Sequence, residues 1–281
     1  MKKLTILVLP VIILALTLAA TGCNGDKEID AVEGASPSQI GSVFEWISET
    51  AESGGYYNLA VVRSDEDLVN IYEAFANDTS AQEEFRDFGI DPSQIDHIVY
   101  QEMDSETAHL VLGRFDLEQI RESLNELGFT SVIYENTEFW EGNYTTYDGT
   151  GFAFMPDKLI WGHEEAVRSF VSTVEGQERS FYDIRETKEV LARFPDWPPI
   201  AVDITFDVLD DYGIRDAVIM ATAMAKKDGG TMNVASIFKF IDAETADQMC
   251  EYLADMNDMR ATCDGEFAII EGEETIEEYT Q

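Results

Sequence analysis

Short apolar runs alternate with amphipathic stretches from residue 39 onward. Apolar residues spaced three and four positions apart follow each run, and this spacing predicts a helix after each strand. We therefore expect strands and helices to alternate over most of the chain. Four runs open such a strand, turn and helix unit: 58–62, 109–113, 158–162 and 236–240.

Turn signals lie between the second and third of these units. Asn136-Thr137, Gly142-Asn143 and Asp148-Gly149 interrupt residues 129–161, and an Asp-Gly pair is typical of a β-hairpin. Hairpins place strands next to strands, which favours an α+β fold. We predict repeated ferredoxin-like βαββ units that form antiparallel sheets with helices packed on one face. A parallel, doubly wound sheet is the alternative.

A proline-rich stretch, Pro195-Asp-Trp-Pro-Pro199, suggests a boundary between two α+β domains, 39–195 and 196–281. In the second domain we expect a strand over 200–206, an apolar helix near 208–224 and a final strand over 266–270. The acidic C-terminal tail is expected to be solvated.

The N-terminal segment has the layout of a secretory signal peptide. Lys2 and Lys3 precede the uncharged run Leu4–Ala20, and the chain becomes polar after Cys23. The sequence Ala20-Thr21-Gly22-Cys23 resembles the lipobox of bacterial lipoproteins. An ordinary cleaved signal and an uncleaved anchor are the alternatives.

The lipobox resemblance implies a signal peptide over 1–22 and a fatty acid such as palmitate on Cys23. Residues 23–38 would then form a flexible tether that holds the globule at the extracytoplasmic side of a cell membrane. The pattern of residues 55–270 also loosely resembles uncharacterised secreted lipoproteins built from ferredoxin-like repeats. That second resemblance implies no active site.

The charge balance limits the choice of partners. The chain has 56 Asp and Glu residues against 18 Lys and Arg, a net charge of −38. Such a surface repels phosphate backbones, so we exclude nucleic acid as a partner. The acidic residues are spread along the chain, which suggests a surface adapted to salt or an acidic lipoprotein from an ordinary habitat.

No common catalytic or metal-binding motif is present. Ser236-Ile-Phe-Lys239 fits the Ser-x-x-Lys pattern of serine acyl enzymes, but positions i and i+3 of a strand face opposite sides. The acids after His163 suit the first turn of a helix without any chemistry. The acidic clusters 207–211 and 271–274 lack the spacing of a calcium loop. We therefore expect no catalytic residue, no metal and no cofactor.

Aromatic residues are concentrated in residues 132–161, which contain eight of them. One interpretation is a platform that binds a glycan or an envelope protein, with Trp140, Tyr144 and Tyr147 as its candidate residues. The other is a meander whose rings fill the core, and the alternation of Phe152 and Phe154 favours it for those two residues.

Cys250 and Cys263 are the only cysteines beyond Cys23. In an exported chain we predict that they form a disulfide between the fourth helix and the residues just before the final strand, with two free thiols as the alternative. The leading hypothesis for function is a non-enzymatic, membrane-anchored lipoprotein with a binding or envelope-associated role. A secreted hydrolase that uses acidic residues and the substrate-binding lipoprotein of a transporter are the alternatives.

Overall fold

The computed structural model describes residues 40–76, 85–144, 147–156, 158–206, 214, 216–257 and 260–276. The strands are β1 Ser53–Asn58, β2 Ile95–Met103, β3 Glu106–Gly113, β4 Thr130–Tyr134, β5 Thr137–Tyr144, β6 Tyr147–Phe154, β7 Lys158–His163, β8 Ala201–Thr205, β9 Ala217–Lys227, β10 Thr231–Phe240, β11 Arg260–Asp264 and β12 Phe267–Thr275. The helices are α1 Leu59–Ser64, α2 Val69–Ala76, α3 Leu117–Glu126, α4 Glu164–Val174, α5 Arg185–Leu191 and α6 Ala243–Asn257.

The strands form one 12-stranded sheet in the order β11-β12-β10-β9-β8-β1-β2-β3-β7-β6-β5-β4. Neighbouring strands are antiparallel throughout. The predicted α+β class with an antiparallel sheet is therefore confirmed. Because β8 pairs with β1, the sheet continues across residue 195. The division into two domains and the ferredoxin-like repeats remain predictions.

Helices cover both faces of the sheet. The face that we call the first face packs α1, α2 and α3 against residues such as Ile98 and Val111. Their neighbours Val99 and Leu110 point to the second face, which packs against α4, α5 and residues 40–51. Alternate residues of a strand point to opposite faces, so the two clusters lie on opposite sides of the sheet. The prediction of helices on one face only was wrong.

Helix α6 covers a further part of the first face. It packs its buried residues Ala246 and Cys250 against Met220 of β9 and Phe238 of β10. Met220 lies four residues from Met224, which belongs to the core of the first face, and even spacings along a strand share a face.

Two sequence expectations were wrong in their secondary structure. Residues 59–62, expected to be a strand, begin helix α1, because the side chain of Asn58 accepts a hydrogen bond from the Val61 N–H and caps it. The helix expected near 208–224 is replaced from residue 217 onward by strand β9. This strand is apolar on both faces, so it lacks the alternation that marks a half-exposed strand. Residues 207–213 lie outside the described part.

The remaining three units have the expected order. Strands β3, β7 and β10 include the three predicted runs, and a helix follows each of them. In the sequence, Asp116 and Gln119 have the form of an N-terminal capping pair, and this cap of α3 is present: the Asp116 carboxylate accepts a hydrogen bond from the Gln119 N–H at 3.1 Å. The predicted final strand is β12, which extends through Thr275.

Candidate functional site

A row of polar side chains crosses the middle of the first face. Asp203 of β8 lies opposite Gly55 of β1 and Thr222 of β9, and Gly55 lies opposite Tyr100 of β2. Residues directly opposite each other on neighbouring strands point to the same face. We call this set the polar row, and its members in sheet order are His109, Tyr100, Gly55, Asp203, Thr222 and Ser236.

Two tyrosines donate hydrogen bonds to the same oxygen of the Asp203 carboxylate. The Tyr57 hydroxyl donates a hydrogen bond to Asp203 Oδ1 at 2.7 Å, and the Tyr100 hydroxyl donates to the same oxygen at 2.9 Å. Both tyrosines are buried, and their rings stack with centroids 6.0 Å apart. One carboxylate oxygen is thus occupied by two donors that reach it from adjacent strands.

Gly55 provides the space that this arrangement needs. A β-carbon at position 55 would lie 2.4 Å from Asp203 Oδ1 and 2.4 Å from Tyr100 Cε1. A residue with a side chain would therefore displace the carboxylate or the ring. A glycine inside a strand often marks such a close approach, and Gly54-Gly55 inside β1 is the sequence signal that could have located the site.

The surroundings of Asp203 disfavour its charge. Desolvation raises the pKa of the Asp203 carboxyl to about 6, and the hydrogen bonds from Tyr57 and Tyr100 only partly oppose this shift. Within the described part of the chain, these two hydroxyls are the groups that interact with the carboxylate, and no Lys, Arg or His pairs with it. The residue still keeps some solvent-exposed surface. An aspartate without a cationic partner is an uncommon feature of a central strand.

The same hydrogen bonds act on the tyrosines. The pKa values of Tyr57 and Tyr100 are raised well above the ordinary value, first by burial and then by the charge of Asp203. Both hydroxyls therefore keep their protons over the whole physiological range. Since each has one proton and donates it to Asp203, the hydroxyls act toward the carboxylate only as donors.

Polar groups continue the row on both sides. Thr222 Oγ1 and Ser236 Oγ share a buried hydrogen bond of 3.0 Å. On the other side His109 stacks on Trp161 with ring centroids 5.1 Å apart. Burial lowers the pKa of His109 to about 4, so its ring is neutral at neutral pH. Its Nδ1 is buried and has no hydrogen-bond partner among the described residues.

The predicted aromatic surface is only partly described. Trp140 is partly buried against the core of the first face, and its indole N–H donates to Glu138 Oε1 at 2.8 Å. The backbones of Tyr144 and Tyr147 pair across the β5–β6 hairpin, while their side chains lie outside the described part. Phe152 and Phe154 are buried, as the core interpretation predicts for them.

The predicted disulfide is present. Cys250 of α6 and Cys263 of β11 are bonded, with their Cα atoms 6.2 Å apart. The bond ties α6 to the edge strand β11. Cys23, the predicted lipidation site, lies outside the described residues.

Ser236 and Lys239 point to opposite faces of β10, as expected for a strand. Ser236 bonds to Thr222 on the first face, and the buried Lys239 ammonium lies 2.6 Å from Glu189 Oε2 of α5. The two side chains therefore do not meet, and the Ser-x-x-Lys pattern forms no catalytic pair. His163 immediately precedes α4, and Glu164 and Glu165 occupy its first turn.

A concave region lies on the second face. It is formed by Ile40, the end of α5, the segment 194–199 and strands β8 and β9. Its lining consists of apolar and proline residues, so it has no group for acid–base chemistry. Across the described ranges, no group of three or more His, Cys, Asp or Glu is suited to hold a metal ion. None of the helices in these ranges is long and apolar enough to cross a membrane.

Comparison with known proteins identifies the fold. No family model and no curated protein matches the chain. Three crystal forms of TP0453, a Treponema pallidum protein, share its architecture. Form III has a TM-score of 0.56 at 10% identity and covers 83% of this chain and 94% of that chain. Form IV has a TM-score of 0.55 at 9% identity and covers 89% and 96%. Form I has a TM-score of 0.53 at 10% identity and covers 84% and 94%. At such low identity the likeness concerns the fold alone.

Proposed function

We propose that the chain is a lipoprotein anchored at the extracytoplasmic side of a cell membrane, and that its globular part binds a ligand without catalysing a reaction. The observation that carries the anchoring is the sequence of residues 1–23. A basic start, an uncharged run and small residues before Cys23 are the features that lipoprotein processing requires. Two or more acyl chains on such a cysteine would give a stable anchor.

The binding role is supported by the chemistry of the polar row. Hydrolysis by acidic residues commonly needs two carboxyl groups that flank the substrate. Asp203 instead faces two tyrosines in the described part of the chain, and both hydroxyls are already committed to it. One carboxylate beside two tyrosine hydroxyls is suited to bind a ligand. The candidate aromatic residues Trp140, Tyr144 and Tyr147 would add a surface for an envelope protein or a glycan.

Lipidation is tested by metabolic labelling with an alkyne analogue of palmitate in a bacterial host, followed by membrane fractionation. The wild-type chain should carry label and sediment with membranes, whereas Cys23→Ala should carry none. The matched control is the double variant Cys250→Ala/Cys263→Ala, which removes the other two cysteines and should keep both the label and the membrane fraction. Label that persists in Cys23→Ala would refute the proposal.

A further inference from the structure

Some oxygen lone pairs at the Asp203 site accept no hydrogen bond from the described residues. Tyr57 and Tyr100 each give their single hydroxyl proton to Asp203 Oδ1, so only lone pairs remain on the two phenol oxygens. Asp203 Oδ2 accepts no hydrogen bond from the described residues. The site can therefore form further hydrogen bonds only as an acceptor.

The charge of the site is also unbalanced. Asp203 has no cationic partner in the described ranges, whereas other partly buried carboxylates, such as Glu138 and Asp65, are paired with Arg121 and Lys226. As a whole residue Asp203 is only partly buried, so it keeps some contact with solvent. A net charge of −38 raises the local concentration of cations at the surface.

We propose that Asp203, Tyr57 and Tyr100 form a binding site for the primary ammonium group of a small molecule. This assignment rests on the binding role proposed above and names the chemistry of its ligand. A primary ammonium has three donors and no acceptor, so it complements Asp203 Oδ2 and the lone pairs of the two phenol oxygens. The stacked tyrosine rings next to the carboxylate add the electron-rich surface that favours organic cations.

A metal ion fits this site less well. Calcium takes six to eight oxygen ligands, and the site offers one carboxylate and two phenol oxygens. The neighbouring hydroxyls of Thr222 and Ser236 are bonded to each other. An organic ammonium needs only hydrogen-bond acceptors and one compensating charge, which Asp203 supplies.

An ammonium group in a cell envelope can come from an amino sugar or from an ethanolamine headgroup. The two sources share the same chemistry, so they are separated by the probes. Glucosamine and ethanolamine are titrated into the full-length chain in a non-ionic detergent, by calorimetry at pH 7.5. N-acetylglucosamine and ethylene glycol are the neutral counterparts of the two probes.

We expect at least one of the two amines to bind and its neutral counterpart to bind about tenfold more weakly or not at all. Asp203→Asn keeps the shape and the acceptor for the tyrosines, and it should weaken amine binding about tenfold or more. Asp264→Asn makes the same change on the edge strand β11, where the Asp264 side chain is 69% exposed, and should leave binding unchanged. Tyr100→Phe removes one acceptor and provides a second variant should Asp203→Asn fail to fold.

The assignment would be overturned if neither amine bound up to about 50 mM, a range that includes very weak affinities. It would also be overturned if an amine and its neutral counterpart bound with equal affinity. A third contradicting result would be unchanged amine affinity in both Asp203→Asn and Tyr100→Phe. Lipidation of Cys23 is measured separately by labelling. A chain that is lipidated but binds no amine would refute the ammonium site and leave the anchoring proposal standing.

Discussion

Asp203 Oδ1 lies only 2.4 Å from the position that a β-carbon would take on Gly55. The Asp203 carboxylate of β8 thus extends over β1 and accepts a hydrogen bond from the Tyr100 hydroxyl on β2. A glycine on one strand therefore determines whether side chains from its two neighbours can meet. One methyl group added at position 55 would therefore disturb the contact between Asp203 and Tyr100.

Gly55→Ala should destabilise the fold. The added methyl group would overlap both Asp203 Oδ1 and Tyr100 Cε1, and overpacking of this kind costs about 1–3 kcal/mol. Urea unfolding followed by circular dichroism measures the loss. The comparison variant is Gly54→Ala on the opposite face, where the new methyl group would lie 2.7 Å from Ile47 Cδ1 and 3.2 Å from the Tyr100 carbonyl oxygen. Because these contacts are longer than those at Gly55, it should cost less than Gly55→Ala. Equal stability of Gly55→Ala and wild type would contradict the close approach.

Asp203→Asn should change how stability depends on pH. The folded pKa of Asp203, about 6, lies above its ordinary value of 3.8, so the folded state takes up a proton first as the pH falls. Asp203 therefore adds stability at low pH, and this contribution is lost as the pH rises through 6. A shift of about two units corresponds to roughly 2–3 kcal/mol between pH 4 and pH 7.

Urea unfolding of wild type and Asp203→Asn at half-unit steps from pH 4 to pH 8 isolates this contribution. Carboxylates with lowered pKa values, such as Glu138 and Asp183, act in the opposite direction in both proteins. Their contributions to the free energy of unfolding cancel when the curve of Asp203→Asn against pH is subtracted from that of wild type. A difference that stays constant over the whole range would show that the pKa of Asp203 is not raised.

Removal of the disulfide should cost stability without removing the fold. The bond closes a loop with a sequence separation of 13 residues, which corresponds to about 3 kcal/mol in the chain-entropy model. Cys250→Ala/Cys263→Ala should lower the free energy of unfolding by about that amount. A reducing agent should destabilise wild type similarly and leave the double variant unaffected. Two free thiols in the protein purified without a reducing agent would rule out the bond.

Salt should stabilise the protein. A net charge of −38 repels itself in the compact state, and the Debye length falls from about 10 Å at 0.1 M to about 3 Å at 1 M salt. We expect the melting temperature to rise by roughly 5 °C from low salt to 1 M NaCl, which corresponds to a gain of about 1–2 kcal/mol. An equal rise in KCl would identify screening as the cause. A melting temperature independent of salt would speak against strong self-repulsion.

Local signals predicted much of the fold. The runs at 109–113, 158–162 and 236–240 are strands followed by helices, and the cap at Asp116 is formed. One error lies at residues 59–62, where the Asn58 side chain caps a helix in place of the expected strand. The other lies in a strand that is buried on both sides. Strand β9 is buried between helices on the two faces, so its sequence lacks the alternation of a half-exposed strand and predicts a helix instead.

The sequence by itself determined the antiparallel α+β class, the pairing of Cys250 with Cys263 and the strongly acidic surface. These features follow from turn residues, from the number of cysteines and from composition, all of which act locally or in sum. Only the tertiary structure decided that helices cover both faces and that Asp203 meets Tyr57 and Tyr100. These residues are 146 and 103 positions away from Asp203 along the chain. Their contact depends on the strand order β8-β1-β2 and on the register that places Gly55 between them, and neither is encoded in a local pattern.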